Sequence, residues 1–232
     1  MSALKLQIEK LRKEFADSWV SKANSPTLKP ATKEEVIKII VWARENGWRI
    51  MPIGQGTSIT PGFQVPDKVI VMMSSNRNNA LQTNLVDLAV VAEVGIPSAR
   101  LSESLRNFGF RLDNTFADYK GSIGGLICGE KGISVRHLIL GVEIIDGRGT
   151  SMTFGGRIRK NVCGFDIPGI FAGSRGTLGW LDRVYLRITP IHASSIGRLP
   201  FAVSPSHGPN RGLYQKVAEA LDPDRIFSRH TL

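Results

Sequence analysis

The chain is short of the features that usually place a protein quickly. It has two cysteines, Cys128 and Cys163, in 232 residues. That is too few for a disulfide framework, and neither belongs to a CxxC pair. No uninterrupted apolar run approaches the roughly 20 residues that a membrane-spanning helix needs. The N-terminal MSALKLQIEKLRKEF mixes charged with apolar residues, so it lacks the apolar core of a secretory signal. These absences predict a cytoplasmic globular chain, in keeping with 42% hydrophobic and 22% charged residues.

Concentrated positive charge is missing too. The formal net charge is +10, yet the Lys and Arg residues are spread along the chain with no run of five. The densest stretch, residues 157–187, holds Arg157, Arg159, Lys160, Arg175, Arg183 and Arg187 against Asp166 and Asp182. Nucleic-acid binding proteins present clustered basic residues with interleaved aromatics or a known motif. The expectation is therefore no nucleic acid, and either a solvated basic face or an acidic protein partner.

Catalytic signatures are equally scarce. The four histidines, His137, His192, His207 and His230, form no HExxH motif or paired spacing. His137 precedes a strand and is expected to be a hydrogen-bonded structural residue, whereas His192 and His207 are expected at the surface. No Ser/His/Asp set or carboxylate pair can be defended from spacing, so no catalytic base is named. The cysteines read as small buried hydrophobes.

What is present is an alternation of helix and strand. Leu4, Ile8, Leu11 and Phe15 recur at helical spacing and predict a helix over residues 2–18. Thr32-x-x-Glu35 is a capping box ahead of Val36, Ile39, Ile40 and Ala43, and Asn46-Gly47 should end that helix. Segments 48–53, 68–73, 88–94, 137–145, 150–154 and 184–188 read as strands, with a tight turn at Asp146-Gly147. A further helix is expected from Pro97 to about residue 108. Mixed elements joined by tight turns argue for an α+β fold rather than a regular doubly wound sheet.

Three glycine-rich stretches stand out, at 51–62 (MPIGQGTSITPG), 121–130 (GSIGGLICGE) and 172–180 (AGSRGTLGW). The first lacks the Gly-Lys-Ser/Thr of a Walker loop and puts Ile59 where a dinucleotide fingerprint needs its third glycine. A phosphate there would be held by a nest of loop N–H groups with the Thr57 and Ser58 hydroxyls, and the other reading is a tight strand-exit turn. Three such loops carrying hydroxyl residues suggest one extended ligand approached from several segments of backbone.

PIGQGTS, GSIGGLICGE, DGRG (146–149), FGGRIRKNVCGFD (154–166) and GSRGTLG (173–179), with the closing LDPDRIF (221–227), resemble the PCMH-type FAD-binding domain of the vanillyl-alcohol oxidase/p-cresol methylhydroxylase flavoproteins. Within that superfamily they are similar to the FAD-binding subunit of bacterial glycolate oxidase. The resemblance covers roughly residues 28–190 and the last 15 or so. It implies a two-subdomain α+β fold that binds FAD. Ile53, Gly54, Gln55, Gly56, Thr57 and Ser58 would surround the phosphates. Ser122, Gly124, Gly125 and Gly129 would line the flavin side of the groove. Gly176, Thr177, Leu178, Gly179 and Leu181 would offer backbone atoms near the flavin or ribityl chain.

Some relatives tether FAD through a His in the first loop or a Cys before the second glycine pair. Thr57 and Lys120 stand there, so a non-covalent cofactor is implied. The substrate or cap domain of the full oxidases is apparently absent. The expected organisation is an N-terminal helix and lead-in (1–27), the FAD-binding domain (28–190), a linker replacing the cap (191–212), and a C-terminal helix and tail (213–232). By resemblance the chain would be an electron-transferring subunit of a glycolate-type 2-hydroxy-acid dehydrogenase or oxidase. Its partners would be a catalytic flavoprotein subunit and an iron–sulfur subunit. A stand-alone minimal FAD dehydrogenase and a cofactor-free structural subunit are the alternatives.

Overall fold

A computed structural model describes residues 3–21, 23, 25–59, 62–84, 87–129, 132–156, 166–191 and 211–227. Helix α1 (Ala3–Glu14) buries Leu11, with Phe15 just beyond its end, while Leu4 and Ile8 pack against the same cluster. It is shorter than the periodicity predicts, because a 3-10 turn over Ala16–Ser18 takes over the last residues. Strand β1 (Thr27–Leu28) leads to α2 (Lys33–Glu45), β2 (Arg49–Ile53) and β3 (Val69–Met73). These strands form a parallel sheet in the order β1–β3–β2, with Met51 opposite Val71.

The start of α2 forms as its capping box dictates. Thr32 Oγ1 accepts the Glu35 N–H at 3.1 Å, and Glu35 reaches back to the Ala31 N–H at 2.8 Å, one residue before the cap. The helix stops where Gly47 takes φ +68°, a left-handed conformation cheap only for glycine. Val36, Ile39, Ile40, Trp42 and Ala43 are buried, and Trp48, Ile50 and Ile70 complete that core.

The second unit is a five-stranded antiparallel sheet. It follows from β4 (Ala80–Asn84) and β5 (Ala89–Glu93) through α3 (Ser98–Asn107), β6 (Phe110–Arg111), α4 (Asn114–Ala117), α5 (Ile123–Cys128) and α6 (Gly132–Val135). The chain goes on to β7 (Ile139–Ile145), β8 (Ser151–Gly155), α7 (Ile167–Ile170), β9 (Trp180–Arg187), β10 (Thr189–Pro190) and α8 (Arg211–Leu221). The sheet order is β4–β5–β9–β7–β8, and β6 pairs with β10 apart from it. Asp146 makes the β7–β8 turn, its Oδ1 accepting the N–H groups of Arg148 and Thr150. The predicted α+β class with two subdomains is thus the observed one.

Two differences from expectation have local causes. The glycine-rich stretch at 121–130 is not a loop throughout, since Ile123–Cys128 is a helix. Ser122 caps it by accepting the Gly125 N–H at 3.2 Å, and Ile123, Leu126 and Ile127 bury one face. Burial and the cap outweigh the roughly 1 kcal/mol that each helical glycine costs. Strand β4, with the polar sequence ALQTN, carries little apolar signal and pairs only with β5 in the sheet.

A chain of charges connects the two units. Lys33 meets Glu143 at 2.6 Å, and Arg183 meets the other Glu143 oxygen at 3.3 Å. Arg77, after β3, meets Asp182 at 2.8 Å and Glu93 at 2.7 Å, with all three side chains buried. The far end of the chain returns to the first unit. Ile226 and Phe227 enter its core, and Ile50 donates its N–H to the Ile226 carbonyl at 2.7 Å.

Candidate functional site

Strand β2 buries Ile50 and Met51 and ends at the half-buried Ile53, which delivers residues 54–58 to one edge of the parallel sheet. The N–H groups of Gly54, Gln55, Gly56, Thr57 and Ser58 donate to no acceptor among the described residues. Five consecutive open donors are unusual for ordered backbone, where such groups are nearly always paired. Gly56 takes φ +77°, and Ile59 closes a turn by donating to the Gly56 carbonyl.

The loop rests against the start of α5. A Cβ on Gly54 would lie 2.3 Å from Ser122 Oγ, so only glycine permits this approach. A Cβ on Gly121 would come within 2.9 Å of Thr57 Oγ1 and 2.5 Å of the Tyr119 ring. Ser58 Oγ and the Tyr119 hydroxyl are 3.5 Å apart. Gly54, Thr57, Ser58, Gly121, Ser122 and Tyr119 therefore converge, although they come from segments some 60 residues apart in the chain.

The third glycine-rich segment ties to the other end of α5. Gly173 donates to the Ile127 carbonyl at 2.9 Å, and Arg175 to the Cys128 carbonyl at 2.7 Å. Gly176, at φ +73°, leaves its would-be Cβ 3.3 Å from Pro52 on β2. Thr177 Oγ1 donates to the Ser174 carbonyl and meets the hydroxyl of Tyr214 on α8. All three stretches thus gather about one short helix, an arrangement their sequence separation does not reveal.

Not every expected residue faces that loop. Gly124 lets α5 pack on the residue that follows β5, since its Cβ would sit 2.9 Å from Val94 Cβ. Gly129 closes α5 at the end opposite Ser122, donating to the Gly125 carbonyl. Gly179 leaves room for the Ile145 carbonyl, and the side chains of Leu178 and Leu181 lie in the core of the second unit. Conversely, Tyr119 joins the loop without having been expected. Its position two residues before a glycine-serine pair was the available signal.

Other candidates resolve simply. His137 is exposed at a 3-10 turn and bonds no described residue, so the expected hydrogen-bonded role is corrected. Burial pushes the Cys128 thiol up to about 11, against weaker lowering by Ser174 and Gly176, which fits an inert, protonated thiol. Among the described residues no group of His, Cys, Asp or Glu could hold a metal ion. Arg157, Arg159, Lys160, Cys163, His192, His207 and His230 lie outside the described residues, as does most of the expected linker.

Open backbone donors, hydroxyls and a glycine without room for a Cβ form a donor set of the kind a diphosphate requires. Residues 25–155, over half of the chain, match the family described as an FAD binding domain. The chain belongs to that family. Its cofactor is FAD, as the resemblance implied.

The FAD-binding domain is similar to known proteins over part of their length. It is 33% identical over 119 residues to glycolate oxidase subunit GlcE of Escherichia coli, covering 47% of this chain and 34% of that protein. It is 27% identical over 168 residues to D-2-hydroxyglutarate dehydrogenase of Xanthomonas citri pv. viticola, covering 69% and 36%. Its fold matches alkyldihydroxyacetonephosphate synthase with a TM-score of 0.60 at 20% identity, over 74% of this chain and 33% of that one. The chain spans about a third of the length of each of these. No helix among the described residues is long and apolar enough to cross a membrane.

Proposed function

We propose that this FAD-binding domain is the electron-transferring subunit of a 2-hydroxy-acid dehydrogenase or oxidase complex of the glycolate type. The observation that carries the proposal is the loop at 54–58, whose five N–H groups have no acceptor among the described residues. The similarity to a glycolate oxidase subunit and a hydroxyglutarate dehydrogenase supplies the substrate class. The FAD-binding part is taken as residues 28–190.

When bound, FAD accepts electrons from a reduced donor and returns them to an acceptor. The chain's own work is to hold and orient it. The open N–H groups and the Thr57 and Ser58 hydroxyls would face the phosphates. Ser122 and Gly125 at the start of α5 would form one wall, and backbone from Gly176 and Thr177 the other, while Gly124, Gly129, Leu178, Gly179 and Leu181 shape the packing behind them. With Thr57 and Lys120 where some relatives bear tethers, the cofactor is held without a covalent bond. A catalytic flavoprotein subunit and an iron–sulfur subunit are the proposed partners, in keeping with the similarity to a glycolate oxidase subunit.

The test begins with the purified chain, which should be yellow or become so with added FAD, and should release all flavin on acid precipitation. Flavin remaining with the precipitate would overturn non-covalent binding. Native co-purification, with flavin and iron counted per complex, checks the partners. Anaerobic bleaching of the isolated chain by glycolate would instead show a self-contained dehydrogenase.

A further inference from the structure

The side chain of Tyr119 sits where two walls of the loop meet. Its ring packs against the Gly121 backbone so closely that a Cβ there would lie 2.5 Å from Cε1. Its hydroxyl is 3.5 Å from Ser58 Oγ. A Cβ on Gly125 would lie 3.3 Å from that hydroxyl and 3.4 Å from Ser122 Oγ. The two hydroxyls thus flank one point above Gly125, and a Cβ on Gly54 would lie 3.6 Å from the Gly125 Cα and N. The ring packs beside Gly121 and Gly125, and the hydroxyl reaches Ser58 of the loop.

We propose that Tyr119 is a diphosphate ligand of the FAD site, its O–H donating to a phosphate oxygen beside the N–H groups of residues 54–58. The inference rests on the reading of that loop as the diphosphate cradle. Three features single out a phosphate oxygen as the target. A phenol O–H is a hydrogen-bond donor that an anionic oxygen can accept. The neighbouring loop donors are open and all of one sign, so an anion is the species that satisfies them together. The ring buries against glycine backbone, which fixes the hydroxyl without spending the entropy of a long flexible side chain.

Tyr119→Phe deletes the hydroxyl and keeps the ring, so packing against Gly121 survives. A hydrogen bond to a charged group implies that FAD affinity falls about tenfold or more. Titration with FAD, ADP, riboflavin and adenosine separates the possible contacts. The expected result is weaker binding of FAD and ADP, with riboflavin and adenosine unchanged and the apo melting temperature within a degree or so of wild type. Wild-type FAD affinity in Tyr119→Phe would overturn the proposal. So would an equal loss for riboflavin, which would place the hydroxyl on the flavin.

Gly54→Ala tests the underlying reading separately. Undiminished FAD binding by Gly54→Ala would remove the loop from the diphosphate site and Tyr119 with it. Lost binding there beside unchanged binding in Tyr119→Phe would keep the loop and reject the tyrosine.

Discussion

Gly54 shows how little space separates the two walls of the site. Alanine there would push Ser122 Oγ from its place 2.3 Å from the new methyl. Displacing that oxygen gives up the N-cap of α5, worth about 1 kcal/mol. Gly54→Ala should therefore lower the denaturation midpoint slightly and FAD affinity about tenfold, a change that flavin fluorescence titration would read. An unchanged midpoint would mean that Ser122 keeps its cap, and unchanged FAD affinity would place the diphosphate away from this loop.

Cys128 offers a second residue-scale test. Its thiol is pushed up to about 11 by burial. In a Cys163→Ala background, alkylation of the native chain by iodoacetamide at pH 8 should be far slower than in denaturant. The native rate should rise only as the pH nears that value. Because the folded value is raised, the thiol's contribution to stability is present below its ordinary value of 9.0 and is lost as pH climbs through about 11. Rapid native alkylation at pH 8 would contradict this.

At the scale of elements, the C-terminal helix and tail are held by a carboxylate. Asp222 accepts the N–H groups of Ile226 at 2.8 Å and Phe227 at 2.9 Å, fastening the turn that carries both side chains into the first core. Burial raises its pKa above the ordinary 3.8; the two N–H bonds oppose the shift, and Asp224 and Asp146 add to it. A raised folded value favours the protonated form. Its contribution is complete below 3.8 and declines as pH rises through the folded value. Removing the titration with Asp222→Asn should flatten the dependence of stability on pH just above that point, as chemical denaturation across mildly acid pH would show. An unchanged slope would assign the effect to other groups.

At the scale of the molecule, the ion network across the two units is the most demanding feature. Arg77 lies among Glu93 and Asp182 and also donates to the Ala31 carbonyl at 3.2 Å. Arg77→Met would leave the buried Glu93 and Asp182 carboxylates without their nearest cation, with Arg183 Nε 4.0 Å from Asp182 as the remaining one. The expected cost is about 3–5 kcal/mol, measured by urea denaturation. Replacing Arg77, Glu93 and Asp182 together with apolar residues should recover part of that loss. A triple variant less stable than Arg77→Met would show that the network stabilises beyond its own compensation.

Local order was legible in the sequence wherever neighbours in the chain decide the outcome. The capping box at Thr32, the stop at Gly47, the apolar periodicity of α2 and the Asp146 turn act over a few residues, so the sequence alone determined them. The glycine motifs likewise identified the family and its cofactor, since they must leave room for backbone. Tertiary structure alone decided which glycines serve the loop and which serve packing. Gly54 and Gly124 look alike in sequence, yet one lies against Ser122 and the other against Val94. It also decided that Ile123–Cys128 is a helix and that Tyr119 reaches Ser58. Those outcomes depend on surfaces brought together from distant parts of the chain, where contact and burial overrule local preference.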